Sequence, residues 1–551
     1  MKRILFLFVF FSAVSCGVGK SARHLPDTSS YKLEVPYPTK LNDSTFVYQD
    51  NFLTKNRQNL WELFISGNAL QLGHNNGSLT QDLMQKQEQI FFSKVEELVP
   101  SRSKQWLLRN VLKFYNRKLY RHVRNDFQAE IYGLSHYSGD SYDYIAPTFQ
   151  RNLYLHGAHD IGHALQDLML VGCSSLAVWG GHSANGKLLI GRNFDFYAGD
   201  DFAKEKMVSF VKPDTGIPYM SVTWPGMTGV VSGMNAEGLT VTINAGKSRI
   251  PFSAKTPISL VTKEILQYAK NIEEAVYIAK KREVFVSESI MVGSAADRRA
   301  ILIEVSPRNF GVYEVLNSSK LVCTNHFQSK VYQQDARNQK HIAESHSQYR
   351  FERMEELIAE NEKLNPEKIA AILRNRSGLK DIPLGYGNEK ALNQLLAHHA
   401  VIFSPEERLV WVSTSPYQLG EMVCYDLNKI FGEEEMGLNL SDRERNIARD
   451  PFADSPEFQN YELYRIKDRE MDQALLRGLT LSPDFIQQYQ ALNPELWSVY
   501  YKAGKYYFER KEFTKASAQF EKTLTKIIST APERKRVENY LSKSRKRKPA
   551  E

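Results

Sequence analysis

Gly172-Cys173-Ser174-Ser175-Leu176-Ala177-Val178-Trp179, followed by Asn185-Gly186 and Leu188-Leu189-Ile190-Gly191-Arg192-Asn193-Phe194-Asp195, decides how the rest of the chain is read. Cys173 opens an alternating run, and Asn-Gly between two such runs is a strong short-range hairpin signal. An antiparallel return sets the end of the second strand beside the start of the first. A thiol is thereby placed next to a guanidinium and a carboxylate, those of Arg192 and Asp195. A thiol needs a base to become a nucleophile, and a chain beginning at Cys173 would carry one, an α-amino group of pKa about 7.7–8.0. The competing reading is a buried structural cysteine, because free Cys is among the most buried residue types.

Further along, Val230 to Asn244 reads as strand, Asn/Gly turn, strand, and Leu321-Val322-Cys323-Thr324-Asn325 as a strand ending in asparagine. Helical spacing runs from Ile258 to Ala279, and strands are expected at Ile290–Gly293, Ala300–Val305 and Val312–Val315. Ser347-Gln348-Tyr349-Arg350-Phe351-Glu352-Arg353 puts two guanidiniums on one helical face, and His399–Val412 reads as a plain hairpin.

In this order, with Gln128-Ala129-Glu130-Ile131-Tyr132-Gly133 upstream, these segments resemble the acyl-CoA:6-aminopenicillanate acyltransferase-like family of N-terminal-nucleophile hydrolases. That family is akin to choloylglycine hydrolases and penicillin V amidases. The resemblance implies an α+β fold of four αββα layers and self-cleavage between Gly172 and Cys173. Cys173 is then the nucleophile, and Arg192 and Asp195 orient and poise it. Asn244 supplies an oxyanion donor from its backbone, Asn325 one from its amide, and Arg353, with Arg350 in reserve, completes the charge pattern. The expected activity is hydrolysis or acyl transfer at a linear, non-peptide amide of a small N-acyl substrate, without cofactor or metal. The alternatives are a phospholipase B-like lipid-ester hydrolase and a lipid-anchored helical-repeat binding protein with a structural Cys173.

The ends of the chain add a location and an appendage. Met1-Lys2-Arg3 and the apolar run Ile4–Phe11 form a secretory signal too short to span a bilayer, and Ala13-Val14-Ser15-Cys16 resembles a lipobox. Residues 1–15 are therefore expected to be a lipoprotein signal peptide. A lipidated Cys16 would anchor the chain to a membrane of the bacterial cell envelope, facing the periplasm or the exterior. Residues 16–45 are polar and proline-bearing, a tether, and 46–172 a helical pro-segment that includes Trp61–Ile65. The core is placed at 173–430, a charged linker at 431–455 and helices at 456–551. Within these, Tyr500, Ala503-Gly504, Tyr507, Ala516 and Phe520 follow tetratricopeptide spacing, which allows for a protein partner.

Of the net +8, Glu533–Lys548 accounts for +6, so the rest is too near neutral to argue for nucleic acid. Four cysteines and no CxxC exclude a stapled scaffold or zinc module. His156, His159 and His163 share a helical face at metal-like spacing, but Gly157 and Gly162 weaken that helix and hydrogen bonding is the preferred reading.

Overall fold

A computed structural model describes residues 17–157, 171–196, 199, 201–248, 253–432 and 437–547. The signal and lipobox with Cys16, and His159 and His163, lie outside these residues. The fold is α+β. Four strands come first: β1 (Thr39–Asn42), β2 (Thr45–Tyr48), β3 (Asn51–Lys55) and β4 (Trp61–Gly67). Helices α1 (Ala69–Leu98), α2 (Arg102–Asn116), α3 (Asn125–Ser135) and α4 (Thr148–His156) lead to the hairpin β5 (Val171–Val178) and β6 (Leu189–Phe196).

The chain continues through β7 (Met207–Pro213), β8 (Tyr219–Thr223), β9 (Ser232–Asn235) and β10 (Leu239–Ala245) to α5 (Ile258–Tyr268) and α6 (Ile272–Lys281). Strands β11 (Glu288–Ser294), β12 (Arg299–Val305), β13 (Phe310–Tyr313) and β14 (Lys320–Cys323) precede α7 (Ala336–Glu344), α8 (Ser347–Ala359) and α9 (Pro366–Leu373). The last strands are β15 (His399–Ser404), β16 (Leu409–Ser413) and β17 (Met422–Asp426).

Two sheets result. One has eleven strands, ordered β1-β2-β3-β4-β7-β8-β9-β10-β11-β12-β13, and the other six, ordered β14-β5-β6-β15-β16-β17. Alternation along the strands sorts their faces. Met291 of β11 joins Phe210, Met220 and Leu302 in a core shared with Ile190, Val401, Phe403 and Val412 of the smaller sheet. Its neighbours Ile290 and Val292 pack on the other face with Leu72 and Leu79 of α1 and Val261 and Ile265 of α5. The outer face of the smaller sheet, through Leu176, Leu189 and Ile402, meets Met354 and Ile358 of α8 and Ile369 and Leu373 of α9.

Several sequence expectations are corrected. Trp61–Ile65 is a strand, not a helix, and pairs in parallel with β7; all five residues are buried, so no alternation marks it. The supposed tether includes β1, and its His24 lies within hydrogen-bond distance of Gln128 (2.9 Å). The 258–279 helix breaks where Asn271 caps α6 through a bond from Glu274 N. The charged linker is in part a strap along β17, joined by the bridges Tyr425–Ser441 and Met422–Ile447.

The pro-segment helices fit tightly. A Cβ at Gly73 of α1 would stand 1.9 Å from the Glu130 carbonyl of α3, so only glycine allows that crossing. The buried Glu130 carboxylate pairs with Lys263 of α5 and fastens α3 to the core. At the other end lie α10 (Pro456–Arg477), α11 (Phe485–Leu492), α12 (Trp497–Glu509), α13 (Phe513–Leu524) and α14 (Ala531–Arg547). They share an aromatic core that also takes in Leu395 and Leu419.

Candidate active site

β14 stops at Cys323, opposite Ser175, so the first half of β5 has a ladder partner only on its β6 side. The backbone of Cys173 is left to be satisfied by side chains, since buried N–H and C=O groups must find partners. Its N–H donates to Asn325 Oδ1 (3.0 Å) and its carbonyl accepts from Arg350 Nη1 (2.6 Å). Arg350 also donates to Ser174 Oγ (2.7 Å) and, through Nη2, to Asn325 Oδ1 (2.6 Å). The Asn325 amide donates to the Ala245 carbonyl (3.0 Å), which leaves its second hydrogen for a ligand.

The thiol points to the inter-sheet face, as does Arg192, which sits opposite Ser175. Arg192 Nη2 lies 3.7 Å from Cys173 Sγ and also donates to the Ile243 carbonyl. Its Nη1 donates to Ser232 Oγ and to the Val231 carbonyl (3.1 Å). Burial pushes the Cys173 thiol above its ordinary pKa; Arg192 and Arg350 oppose this, while Asp195 and Glu288 add to it. No side-chain base touches the thiol among the described residues.

Asp195 pairs with Gly172 and therefore faces the opposite side of the sheet from the thiol. Both its carboxylate oxygens are buried without a hydrogen-bond partner among the described residues. Burial pushes its pKa up to about 7, against the pull of Arg350 and Arg192. Gln394 closes the same side: its Nε2 would stand 2.6 Å from a Cβ at Gly172, and it too lacks a partner. A side chain at position 172 would have to displace it.

Asn244 accepts from Ser175 Oγ (2.9 Å) and spends its amide on the Cys323 and Thr324 carbonyls (3.1 and 3.3 Å). Its side chain is thereby spent, and its backbone lies in the β10–β11 ladder opposite Ser289. Cys173, Arg192, Asn325, Arg350 and Asn244 thus come together, with Asp195 behind them. Arg353 does not join them. Fully buried as well, it pairs instead with Glu356 (2.7 Å) and Asp381, so of the two arginines on this helix the reserve, Arg350, is the one at the site. A three-residue step turns a side chain by some 60° around the helix, enough to separate the two.

Sequence reasoning missed Glu288, buried at the start of β11, whose signal is an acid heading an otherwise apolar strand. It also missed the buried pair His398 and His399. His399 Nε2 lies 2.8 Å from Ser232 Oγ, and the two rings meet at Nδ1 (2.9 Å). His156 is buried and bonded to Thr228 and the Asn152 carbonyl. Among the described residues no cluster of three or more metal-ligating side chains occurs.

Beside the thiol an aromatic row begins. Phe194, opposite Cys173, stacks on Phe196 (5.6 Å), and Phe196 stacks on Trp224 (6.0 Å). Phe196 and Trp224 then line a cleft with Phe202 and Met227 on one side and Met84, Phe91 and Leu155 of α1 and α4 on the other.

Comparison with known proteins returns the family read from the sequence. A family model described as acyl-coenzyme A:6-aminopenicillanic acid acyl-transferase matches residues 182–415. The matched region holds Arg192, Asp195, Asn244, Asn325 and Arg350, and begins after Cys173. An uncharacterized protein of Archaeoglobus fulgidus is 25% identical over 270 residues, 45% of this chain; the match spans only 44% of that relative. Among solved structures, a Caenorhabditis elegans orthologue of N-acylethanolamine-hydrolyzing acid amidase is 18% identical over 42% of this chain and 93% of its own, with a TM-score of 0.31. A mutant conjugated bile acid hydrolase from Clostridium perfringens is 13% identical over 49% of this chain and 98% of its own, with a TM-score of 0.34.

Proposed function

We propose that this chain is the precursor of an N-terminal cysteine amidohydrolase or acyltransferase, built on four αββα layers and acting on a linear amide. The observation that carries the reading is the setting of Cys173. Its thiol contacts a guanidinium and no base, while its own N–H sits in a ready cradle beside an unpartnered carboxylate. The missing base is supplied by the one group that cleavage would free, the α-amine of Cys173.

Self-processing follows as an acyl shift. Sγ attacks the Gly172 carbonyl carbon, the C–N bond breaks, and the thiol proton passes to the new amine. Water then hydrolyses the thioester, leaving a carboxylate on Gly172 and a free Cys173. The ammonium form would find Asn325 Oδ1 and the Asp195 side of the sheet as acceptors, which favours a defined orientation.

In turnover the amine takes the thiol proton as sulfur attacks the substrate carbonyl, and returns it to the leaving amine. The unused hydrogen of Asn325 is the donor for the oxyanion. Water or a second amine then takes the acyl group from sulfur. The Phe194–Phe196–Trp224 row favours an apolar acyl group, and so an N-acyl amine as substrate. A lipid anchor at Cys16, an envelope location and a protein partner for the C-terminal helices belong to the same proposal.

Intact-mass analysis and N-terminal sequencing of the purified protein test it. The expected result is two associated fragments with a new terminus at Cys173, activity on N-acyl amines, and loss of both in Cys173→Ala. Activity retained in Cys173→Ala would overturn the reading.

A further inference from the structure

Helix α2 is held to the molecule mainly at its C-terminal end, where Tyr115 meets Phe285, and only Asn116 of its residues is buried. Trp106, Leu107 and Val111 are 59%, 58% and 52% exposed. Leu107, Val111 and the half-buried Phe114 follow one another at i, i+4 and i+7, an apolar stripe on the outward face beside Ser103 and Asn110. Monomeric proteins rarely leave such a face unoccupied.

The flanks of that face are cationic. From Arg102 to Arg124 the sequence holds eight Lys and Arg and no Asp or Glu. Of these eight only Arg124 forms an ion pair among the described residues, with Asp126 and Glu264. On a helical wheel Arg102, Arg109 and Lys113 border the exposed face on one side and Lys104 on the other. An exposed face that carries Trp106, Leu107 and Val111 around the small polar Ser103 and Asn110, with basic residues on both borders, suits a helix that lies in a membrane interface.

The path of the chain points the same way. Gly17, the first described residue, packs beside Arg117 just past the end of α2; a Cβ there would meet Arg117 Cδ at 3.4 Å. The apolar run Ile4–Phe11 and Cys16 lie directly before it in sequence. Gly17, to which Cys16 is joined, therefore lies near the C-terminal end of the exposed helix.

We propose that α2 is a docking surface for an anionic lipid bilayer. Trp106, Leu107 and Val111 enter the headgroup boundary, and the unpaired Lys and Arg residues lie against lipid phosphates. This surface is separate from the Cys173 site and does not depend on how that site works.

The test uses the full chain carrying Cys16→Ala, so that no acyl anchor contributes. It is mixed with phosphatidylcholine vesicles with and without about 30% phosphatidylglycerol and sedimented. Binding is expected only to the anionic vesicles and should weaken with salt. The double variants Trp106→Glu/Leu107→Glu and Arg109→Glu/Lys113→Glu should each lose at least about tenfold in vesicle affinity. These positions lie at or near the surface, and circular dichroism checks the fold of each variant. Failure of the parent to bind would overturn the proposal. So would loss of binding in Lys546→Glu/Arg547→Glu with the α2 variants unaffected, because the basic tail would then be the contact. A dimer in sedimentation velocity that the α2 variants dissociate would assign the face to a second copy and overturn it as well.

Discussion

Two places in the six-stranded sheet leave backbone without a ladder partner, and the protein treats them differently. Along the outer edge of β17 the strap 437–447 supplies main-chain bridges at Ser441 and Ile447, and any sequence able to follow that path would do. At the start of β5, beyond the end of β14, the partners are side chains: Asn325 takes the N–H of Cys173 and Arg350 its carbonyl. The first solution closes an edge. The second draws a buried guanidinium and a carboxamide around one thiol, and burial of that kind is kept where chemistry requires it.

The strongest way to break the contrast is Arg350→Ala. It leaves the Cys173 carbonyl, Ser174 Oγ and Asn325 Oδ1 each short of a donor in a dry site, at an expected cost of about 2–5 kcal/mol. Thermal denaturation and the fraction processed should both fall. Arg353→Ala removes an equally buried guanidinium, but one bonded to Glu356 and Asp381 and not to Cys173, so stability should fall by about 2–5 kcal/mol while processing in the folded fraction stays unchanged. Equal effects of the two on processing in the folded fraction would remove Arg350 from the site.

Asn325→Ala comes next. The Cys173 N–H loses its acceptor, so processing should slow. In the processed fraction kcat should fall by roughly 10²–10³ with little change in KM, because a donor acting on the transition state is lost. Steady-state kinetics on an N-acyl amine measures this; an unchanged kcat would exclude Asn325 as an oxyanion donor.

What the sequence disclosed and what it hid follow from the same contrast. Cys173, Arg192, Asn244 and Asn325 were legible because each is fixed by strand period or strand end, which a hairpin signal and alternation convey. The choice between Arg350 and Arg353 was not, since it turns on the rotation of one helix against β5. Nor was Trp61–Ile65, whose two buried faces erase the alternation that marks a strand. Asn271 capping α6 left a sign in the sequence, but an apolar run continuing across it obscured the break. The His398–His399 pair was passed over because two histidines beside an apolar strand carry no spacing signal of their own.

Asp195 sharpens the comparison through pH. In the intact chain its pKa is raised to about 7, so between about pH 4 and pH 7 the folded precursor holds a proton that the unfolded chain has released. Stability must then fall as pH rises through that window, by at most one proton's slope. In unprocessed Cys173→Ala protein the melting temperature should decline from pH 4 to pH 7 more steeply than in Cys173→Ala/Asp195→Asn. Parallel profiles would show that Asp195 is ionised throughout. In processed enzyme the new ammonium at Cys173 should draw the Asp195 pKa down and flatten this slope.

The smallest effect on chemistry is expected at the other edge. Ile447 is 6% exposed and packs the strap onto the outer face of the sheet with Trp411, Met422 and Cys424. Truncation to alanine removes three buried carbon groups and leaves a space beside β17. The expected loss is about 2–4 kcal/mol, comparable with that of Arg350→Ala. The strap touches no group that reaches Cys173, since β16, β15 and β6 stand between β17 and β5. Ile447→Ala should therefore lower the denaturation midpoint while kcat, KM and the extent of processing in the folded fraction stay within about twofold of the parent. The two substitutions, matched in stability, then separate a backbone edge that is merely covered from one whose covering is the site. If Ile447→Ala slowed processing as much as Arg350→Ala, the loss at both edges would be one of global stability, and side-chain capping at β5 would have no special part in the reaction.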